Sequence, residues 1–435
     1  MDLPKTMDEL VDDFIFVTYA DASISQTNVG YLDEISDFID GITDELWPVN
    51  KKIHDNPELG YEEFIAHDTL TKFMAARPGW KVTPSAYGLA TAWVAVFDSG
   101  KKGPTVSFNV EMDALDGIGH ACGHNLIATA SVAGGLATAE IVKQHGLSGK
   151  VVMFGTPAEE GGGGKIKLLQ AGAYRDHNVD INLISHPGIT QDTALMRTSA
   201  YTAFSVEYFG REAHAAANPW LGINALDALI TAYNALSVLR QQTMPGDVIQ
   251  GNITDGGVRP NVIHAHTAGN FVVRANTQTR MKELKEKVDR CFEGGALATG
   301  ATLKMKPVQT YADHVPNRVL GASYRKYFNA LSPPQPIPGN DDVDEIAGRT
   351  MASTDQGDIS YAMPSLNVGF AIPPGPNGNG PHNPEFAEAA GKRVAFERCL
   401  RVGKAMAGTA LDVLTKDGLL MEVKREWEKD VKGSK

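Results

Sequence analysis

Between Tyr31 and Ala75 the apolar residues recur at three- and four-residue intervals, which predicts helices on either side of a turn at Asn56-Pro57. Runs rich in β-branched and aromatic residues at Ala90 to Phe97 and Thr105 to Asn109 then open an alternation of strands and helices that lasts to His186. Within it, Val151 to Phe154 reads as a fully buried strand and Val179 to Ser185 as another. Strands alternating with helices predict an α/β sheet.

From about Thr198 the rhythm changes. The pattern predicts a strand (Ala203 to Tyr208), a helix (Ile223 to Gln241), two strands (Val248 to Ile253, Ala265 to Arg274), a charged helix (Lys282 to Phe292) and a last strand (Thr302 to Lys306). This β-α-β-β-α-β order reads as a ferredoxin-like α+β insert, so the chain divides into residues 1–197, an inserted domain 198–309, and a return to the first domain over 310–435. The Pro-rich stretch Ser332 to Gly339 is expected as a surface loop and Glu422 to Lys435 as a charged, frayed tail. There is no internal repeat at solenoid spacing.

Composition narrows the class without naming a chemistry. With 43% hydrophobic residues over 435 positions there is ample material for a large core. The net charge of -12 argues against a nucleic acid or an anionic membrane as partner. Three cysteines, Cys122, Cys291 and Cys399, are too few and too scattered for a disulfide framework, which points to a reducing, cytoplasmic compartment. No stretch approaches 18 apolar residues, and Met1 to Val17 carries acidic residues through its apolar part, unlike a secretory signal.

The candidate chemistry begins at His120-Ala121-Cys122-Gly123-His124-Asn125. A thiolate and an imidazole separated by one glycine can turn onto a single soft-to-borderline divalent ion, which suits Zn²⁺. Alone the pair is weak evidence, because buried cysteines and satisfied core histidines are common. Further donors lie downstream at the expected ends of strands. Glu159 and Glu160 follow the buried strand at Val151 to Phe154, and adjacent side chains there point to different sides, so one can ligate while its neighbour acts as a general base. The Gly161 to Gly164 run is not a phosphate loop, since Lys165 precedes Ile166 instead of Ser or Thr. His186 ends its strand before Pro187-Gly188 at the edge of the sheet, and His382 sits in the loop Gly380-Pro381-His382-Asn383-Pro384.

Five segments, His54-Asp55-Asn56-Pro57-Glu58-Leu59-Gly60-Tyr61-Glu62-Glu63, Met112-Asp113-Ala114-Leu115, His120 to His124, Pro157-Ala158-Glu159-Glu160-Gly161 and His382-Asn383-Pro384-Glu385-Phe386, occur in one order. In this order the chain resembles the amidohydrolase group of metallopeptidases that includes aminoacylases, hippurate hydrolase, carboxypeptidase G and carnosinase-type dipeptidases. With Glu159-Glu160-Gly161-Gly162-Gly163-Gly164-Lys165, Asn125, and Ser353-Thr354-Asp355-Gln356-Gly357-Asp358, it is most similar to the aminoacylase-1-like branch linked to β-alanyl dipeptides.

The resemblance implies a zinc-peptidase-like catalytic domain with a central mixed sheet flanked by helices, and an inserted lid and dimerisation domain. It implies that Cys122, His124, Glu160, His186 and His382 hold two divalent ions, Zn²⁺ or alternatively Mn²⁺ or Co²⁺, with Glu159 as general base and Asp113 orienting a ligand. It further implies that His214 reaches the site of a partner subunit to stabilise the oxyanion, and that Asn261 and Arg274 contact the carbonyl and carboxylate of the substrate. Glu111, where Asp is common, and Asn125, where Asp is usual, depart from the pattern without removing a ligand.

The expected protein is a homodimeric hydrolase of a small N-acyl amino acid or dipeptide. Two other readings stay open: a hydrolase of a non-peptide amide, carbamate or ester on the same scaffold, and a metal-bound scaffold without catalysis.

Overall fold

The computed structural model describes residues 29–331 and 335–433. Its main sheet has six strands, β1 (Trp80–Pro84), β2 (Trp93–Asp98), β3 (Thr105–Glu111), β4 (Lys150–Thr156), β5 (Ile181–Gly188) and β12 (Ser365–Ala371), in the spatial order β1-β2-β4-β3-β5-β12. The strands β4, β3, β5 and β12 run parallel, whereas β2 and β1 are antiparallel to their neighbours, so the sheet is mixed.

Helices cover it: α1 (Leu32–Gly41), α2 (Thr43–His54), α3 (Phe64–Ala75), α4 (His124–Gln144), α5 (Gly164–Gln170) and α6 (Ala173–Asp176) come before the insert. Strand alternation explains why both faces are buried. Val151 and Met153 of β4 join the large core beneath the helices, while Val152 and Phe154 join a smaller one on the opposite face. On β3 the same period places Val106, Phe108 and Val110 in the large core and Ser107, Asn109 and Glu111, all buried, on the other side.

The second sheet has the order β11-β6-β10-β8, all antiparallel, from β6 (Ala200–Phe209), β8 (Val248–Asp255), β10 (His266–Ala275) and β11 (Thr302–Tyr311). Helices α7 (Ala225–Leu239) and α8 (Gln278–Thr299) close a separate core around Phe204, Tyr208, Phe271 and Phe292. Two short strands outside this sheet, β7 (Ala213–His214) and β9 (Val262–Ile263), pair with each other. Their two-residue length carries no alternation to read, and the periodicity does not predict them.

The chain then returns through α9 (Arg318–Ala330), α10 (Asp341–Ala347), α11 (Gln356–Ala362), β12, α12 (Pro384–Ala390), α13 (Arg393–Thr415) and α14 (Leu419–Gly433). Helix α4 is long and apolar enough to cross a membrane by length and composition, but 94% of its apolar window is buried inside the fold, as befits a core helix. The expected frayed tail is corrected. Residues 419–433 form a helix docked by the buried Val423 and Val431, by Trp427 Nε1 donating to Ser360 O at 2.7 Å, and by Glu426 accepting from Val319 N at 2.9 Å. Its two valines alone contribute on the order of 3–6 kcal/mol of apolar burial, which a charge count overlooks. Of the Pro-rich loop, residues 332–334 lie outside the described residues, and Ile337 beyond them is buried, with its backbone paired to the Asn329 amide. The N-terminal stretch Met1 to Val17 also lies outside the described residues.

Candidate metal centre

The carboxyl ends of the parallel strands β3, β4 and β5 converge on the start of α4, and each brings a donor. Gly123 makes the turn into α4 with φ +78°, and a Cβ there would lie 2.6 Å from Pro187 Cγ, so only glycine lets Cys122 and His124 approach the β5 end this closely. After β4 the chain turns through Ala158 at φ 54°, whose N–H donates to the buried Glu63 carboxylate at 2.8 Å. Gly164 closes that turn so tightly that a Cβ would sit 1.7 Å from Pro157 O. His382 also has positive φ, 65°, and its N–H is held by Ala121 O at 2.8 Å, which fastens the late loop to the Cys122 segment.

Two imidazoles are aimed by the same device. His124 Nδ1 is tied to Asp113 Oδ1 at 3.2 Å and His186 Nδ1 to Pro187 O at 2.8 Å, so the Nε2 atom of each faces the site. His186 Nε2 is 3.2 Å from Cys122 Sγ, and His382 Nε2 is 3.3 Å from Glu160 Oε1. Asp113 has a second role, since its Oδ2 accepts the Glu160 N–H at 2.9 Å.

Two groups of donor atoms within 4.8 Å of one another share the thiol, Cys122 with His124 and His186 and Cys122 with Glu160 and His382, and a third joins His124 and Glu160 to Glu159. The thiol common to both sets stands where it could bridge two ions.

The residues fit divalent ions by their electrostatics as well as their type. His124 Nε2 and Glu111 Oε2 are buried without a hydrogen-bond partner among the described residues, an arrangement that is costly unless a cation enters. Burial pushes the Cys122 thiol well up, reinforced by the Glu160 charge, so a thiolate there needs a positive ion beside it. Glu159 and Glu160 are driven apart. Burial and the charges of Glu111 and Glu160 raise Glu159 well above the usual carboxylate range, whereas for Glu160 burial is overcome by the His382 hydrogen bond and the His124 charge, which bring it below.

A cavity of about 730 Å³ opens over these groups, a size suited to a small molecule. Cys122, Glu159, Glu160, His186, His382 and Arg274 line it, while His124 and Asp113 lie buried behind. Apart from the donor set and Glu159, its charged lining residues are Arg274 and Arg349. Arg274 Nη1 donates to Ser353 Oγ at 2.7 Å and Met351 O at 3.2 Å, its guanidinium lies over the Tyr201 ring, and no carboxylate pairs with it among the described residues.

His214 and Asn261 are elsewhere: both are exposed beside the β7–β9 pair and neither lines the cavity. Lys165 and Asp355, quoted only as parts of motifs, prove to be a buried ion pair next to the site. The signal available was a lysine closing a glycine-rich turn after two glutamates.

Residues 101–396 match the family described as peptidase family M20/M25/M40. The Xaa-Arg dipeptidase of Mus musculus is 37% identical over 403 residues, covering 90% of each chain. A p-aminobenzoyl-glutamate hydrolase chain of Escherichia coli (strain K12) is 27% identical over 453 residues, covering 88% of this chain and 91% of that one. Among solved structures, an aminohydrolase from methicillin resistant Staphylococcus aureus superposes with a TM-score of 0.72 at 20% identity, over 88% of this chain and 100% of its own. A dinuclear metal binding peptidase from Bacillus subtilis does so with a TM-score of 0.64 at 17% identity, over 86% and 99%.

Proposed function

The chain belongs to peptidase family M20/M25/M40 and is a metal-dependent hydrolase of the amide bond of a dipeptide or N-acyl amino acid, and we propose that it works as a homodimer with two Zn²⁺ ions per subunit. The observation that carries the two-ion reading is the Cys122 thiol shared by two donor sets whose other members point their free atoms inward. The ions would be held by Cys122, His124, Glu160, His186 and His382, and when bound would polarise the amide carbonyl and make water more acidic. Glu159, buried beside His124 Nε2 at 3.9 Å, takes the proton of the attacking water and returns it to the leaving amine. Asp113 keeps the His124 ring and the Glu160 backbone in register throughout.

Cys122→Ser tests the ligand set. Its metal content and activity should fall together while the circular dichroism spectrum stays close to that of the parent. Full metal stoichiometry with full activity in that variant would remove Cys122 from the set.

The substrate's carboxylate is assigned to Arg274, a guanidinium with no anionic partner among the described residues, at the wall of a cavity whose other cationic arginine is Arg349. A library of dipeptides and N-acyl amino acids, with matched amides lacking the carboxylate, should show turnover by mass only where the carboxylate is free. Arg274→Ala should raise KM by about 10- to 100-fold, the size of a charge-assisted hydrogen bond, and affect kcat less. Equal turnover of carboxylate-free amides or esters would favour the non-peptide reading.

His214 and Asn261 are proposed to serve the neighbouring subunit, because in their own chain they face outward. His214 Nδ1 accepts the N–H groups of Ala216 and Ala217 at 3.2 Å each, which leaves Nε2 as the hydrogen-bearing nitrogen, suited to an oxyanion. Trp220 and Val258, in the segments that flank this strand pair in sequence, are 75% and 89% exposed, as expected of a face that a second copy covers.

A further inference from the structure

Glu111 ends β3 on its polar face with its two carboxylate oxygens in different surroundings. Oε1 takes the Lys165 ammonium at 2.6 Å. Oε2 is buried, has no hydrogen-bond partner among the described residues, and lies 3.5 Å from His124 Nε2, which is equally unpartnered. A buried charged oxygen left in this way costs more than the roughly 1–3 kcal/mol of a neutral group, so its persistence calls for a positive partner on the site's side. A charged His124 ring could pair with it across 3.5 Å, but it makes no hydrogen bond to it and becomes neutral once its Nε2 ligates an ion; its Nδ1 is committed to Asp113, and its Nε2 also stands 3.9 Å from Glu159 and from Glu160.

Lys165 is itself fully buried and gripped from the far side by Asp355, whose Oδ1 lies 2.5 Å from Nζ and whose Oδ2 accepts the Lys165 backbone N–H at 2.8 Å. Oxygens of Glu111, Glu159 and Asp355 come within 4.8 Å of one another, a cluster that could by itself hold a cation. The chain fills that cluster with its own ammonium. A tethered charge at this point neutralises the outer part of the cluster while leaving Glu111 Oε2 turned inward.

We propose that Glu111 is a sixth donor of the ion site, through Oε2, and that Lys165 is the positioning residue that fixes its orientation, with Asp355 anchoring Lys165. The glutamate is long enough to span from the lysine on one side to the site on the other, which the shorter aspartate at this position would not do from the same backbone. The proposal rests on the ion-binding reading of the site, and its test separates the two.

Wild-type and Glu111→Gln proteins are loaded with Zn²⁺, equilibrated with a graded series of chelator, and assayed for retained zinc by mass spectrometry, with circular dichroism as the control for folding. The glutamine variant should release zinc at about 10- to 100-fold weaker chelation than the parent. Lys165→Met should shift release in the same direction, and the double variant should go no further than the larger single shift, because both act through one oxygen. Glu111→Asp, which keeps the charge but withdraws it by one methylene, should also release zinc early and serves where the glutamine variant does not fold. A crystal structure of zinc-loaded wild type should show Glu111 Oε2 touching an ion directly. Parental zinc retention in a folded Glu111 variant, or a Glu111 carboxylate turned away from the ions, would overturn the assignment while leaving the five-donor site in place. A wild-type protein that retains no zinc would overturn both.

Discussion

Glu159→Ala is expected to keep its metal and lose its turnover. The five donors of the two sets that share Cys122 lie on other residues, and the Glu159 backbone is held independently, with its carbonyl accepting the Tyr311 hydroxyl at 2.8 Å, so truncating the side chain leaves the turn in place. What disappears is a carboxylate that burial and the neighbouring Glu111 and Glu160 charges hold well above its ordinary range. Loss of such a base costs about 10²–10⁴ in rate, and here it also removes the group that returns the proton to the amine, so kcat should fall by the upper part of that range or more. KM should change little, because the proposed site for the substrate carboxylate is Arg274, on β10 of the second sheet. Metal analysis and steady-state kinetics on the same preparation decide the matter: parental kcat would reject Glu159 as the base, and metal loss would make it a ligand.

The parts of this site that were legible in the chain are those encoded locally. Buried strands read as short apolar runs, and Glu159 with the donors Glu160 and His186 stand at or just beyond the ends of those runs, where open α/β sheets place their chemistry. Cys122 and His124 announced themselves by the single glycine between them. The strands and helices β6, α7, β8, β10, α8 and β11 were readable because each is long enough to display its period.

What was not legible depends on pairs distant in the chain. Lys165 and Asp355 are 190 residues apart, Glu111 and Lys165 54 apart in number, and no spacing rule links them. The direction of a ring nitrogen is equally silent, since the aim of His124 comes from Asp113 on the neighbouring strand end and that of His186 from a backbone carbonyl. Helix α14 was misjudged for a related reason: its charges are visible in sequence, but the groove that accepts Val423, Trp427 and Val431 is built by α9 and α11, a hundred and some sixty residues earlier.

Glu159→Ala and His214→Ala homodimers should each be nearly inactive, and mixing them should restore activity. The exposed position of His214, outside the lining of its own cavity, is what makes the experiment informative. On the proposed reading, one variant lacks the base of its own site and the other lacks the donor it lends to its neighbour. In a heterodimer the subunit that retains Glu159 borrows an intact His214 from its partner, while the opposite site lacks both. Random exchange of equal amounts puts about half of the dimers in this form, so roughly a quarter of all sites become competent, a ceiling set by two-fold symmetry. Recovery toward that ceiling, followed by size-exclusion chromatography and activity after subunit exchange, requires a shared site. If His214 served its own chain, each heterodimer site would still carry one lesion, and activity would stay at the level of the separate variants. A protein that elutes and works as a monomer would give the same flat result, and the chromatography distinguishes that case from a dimer with self-contained sites.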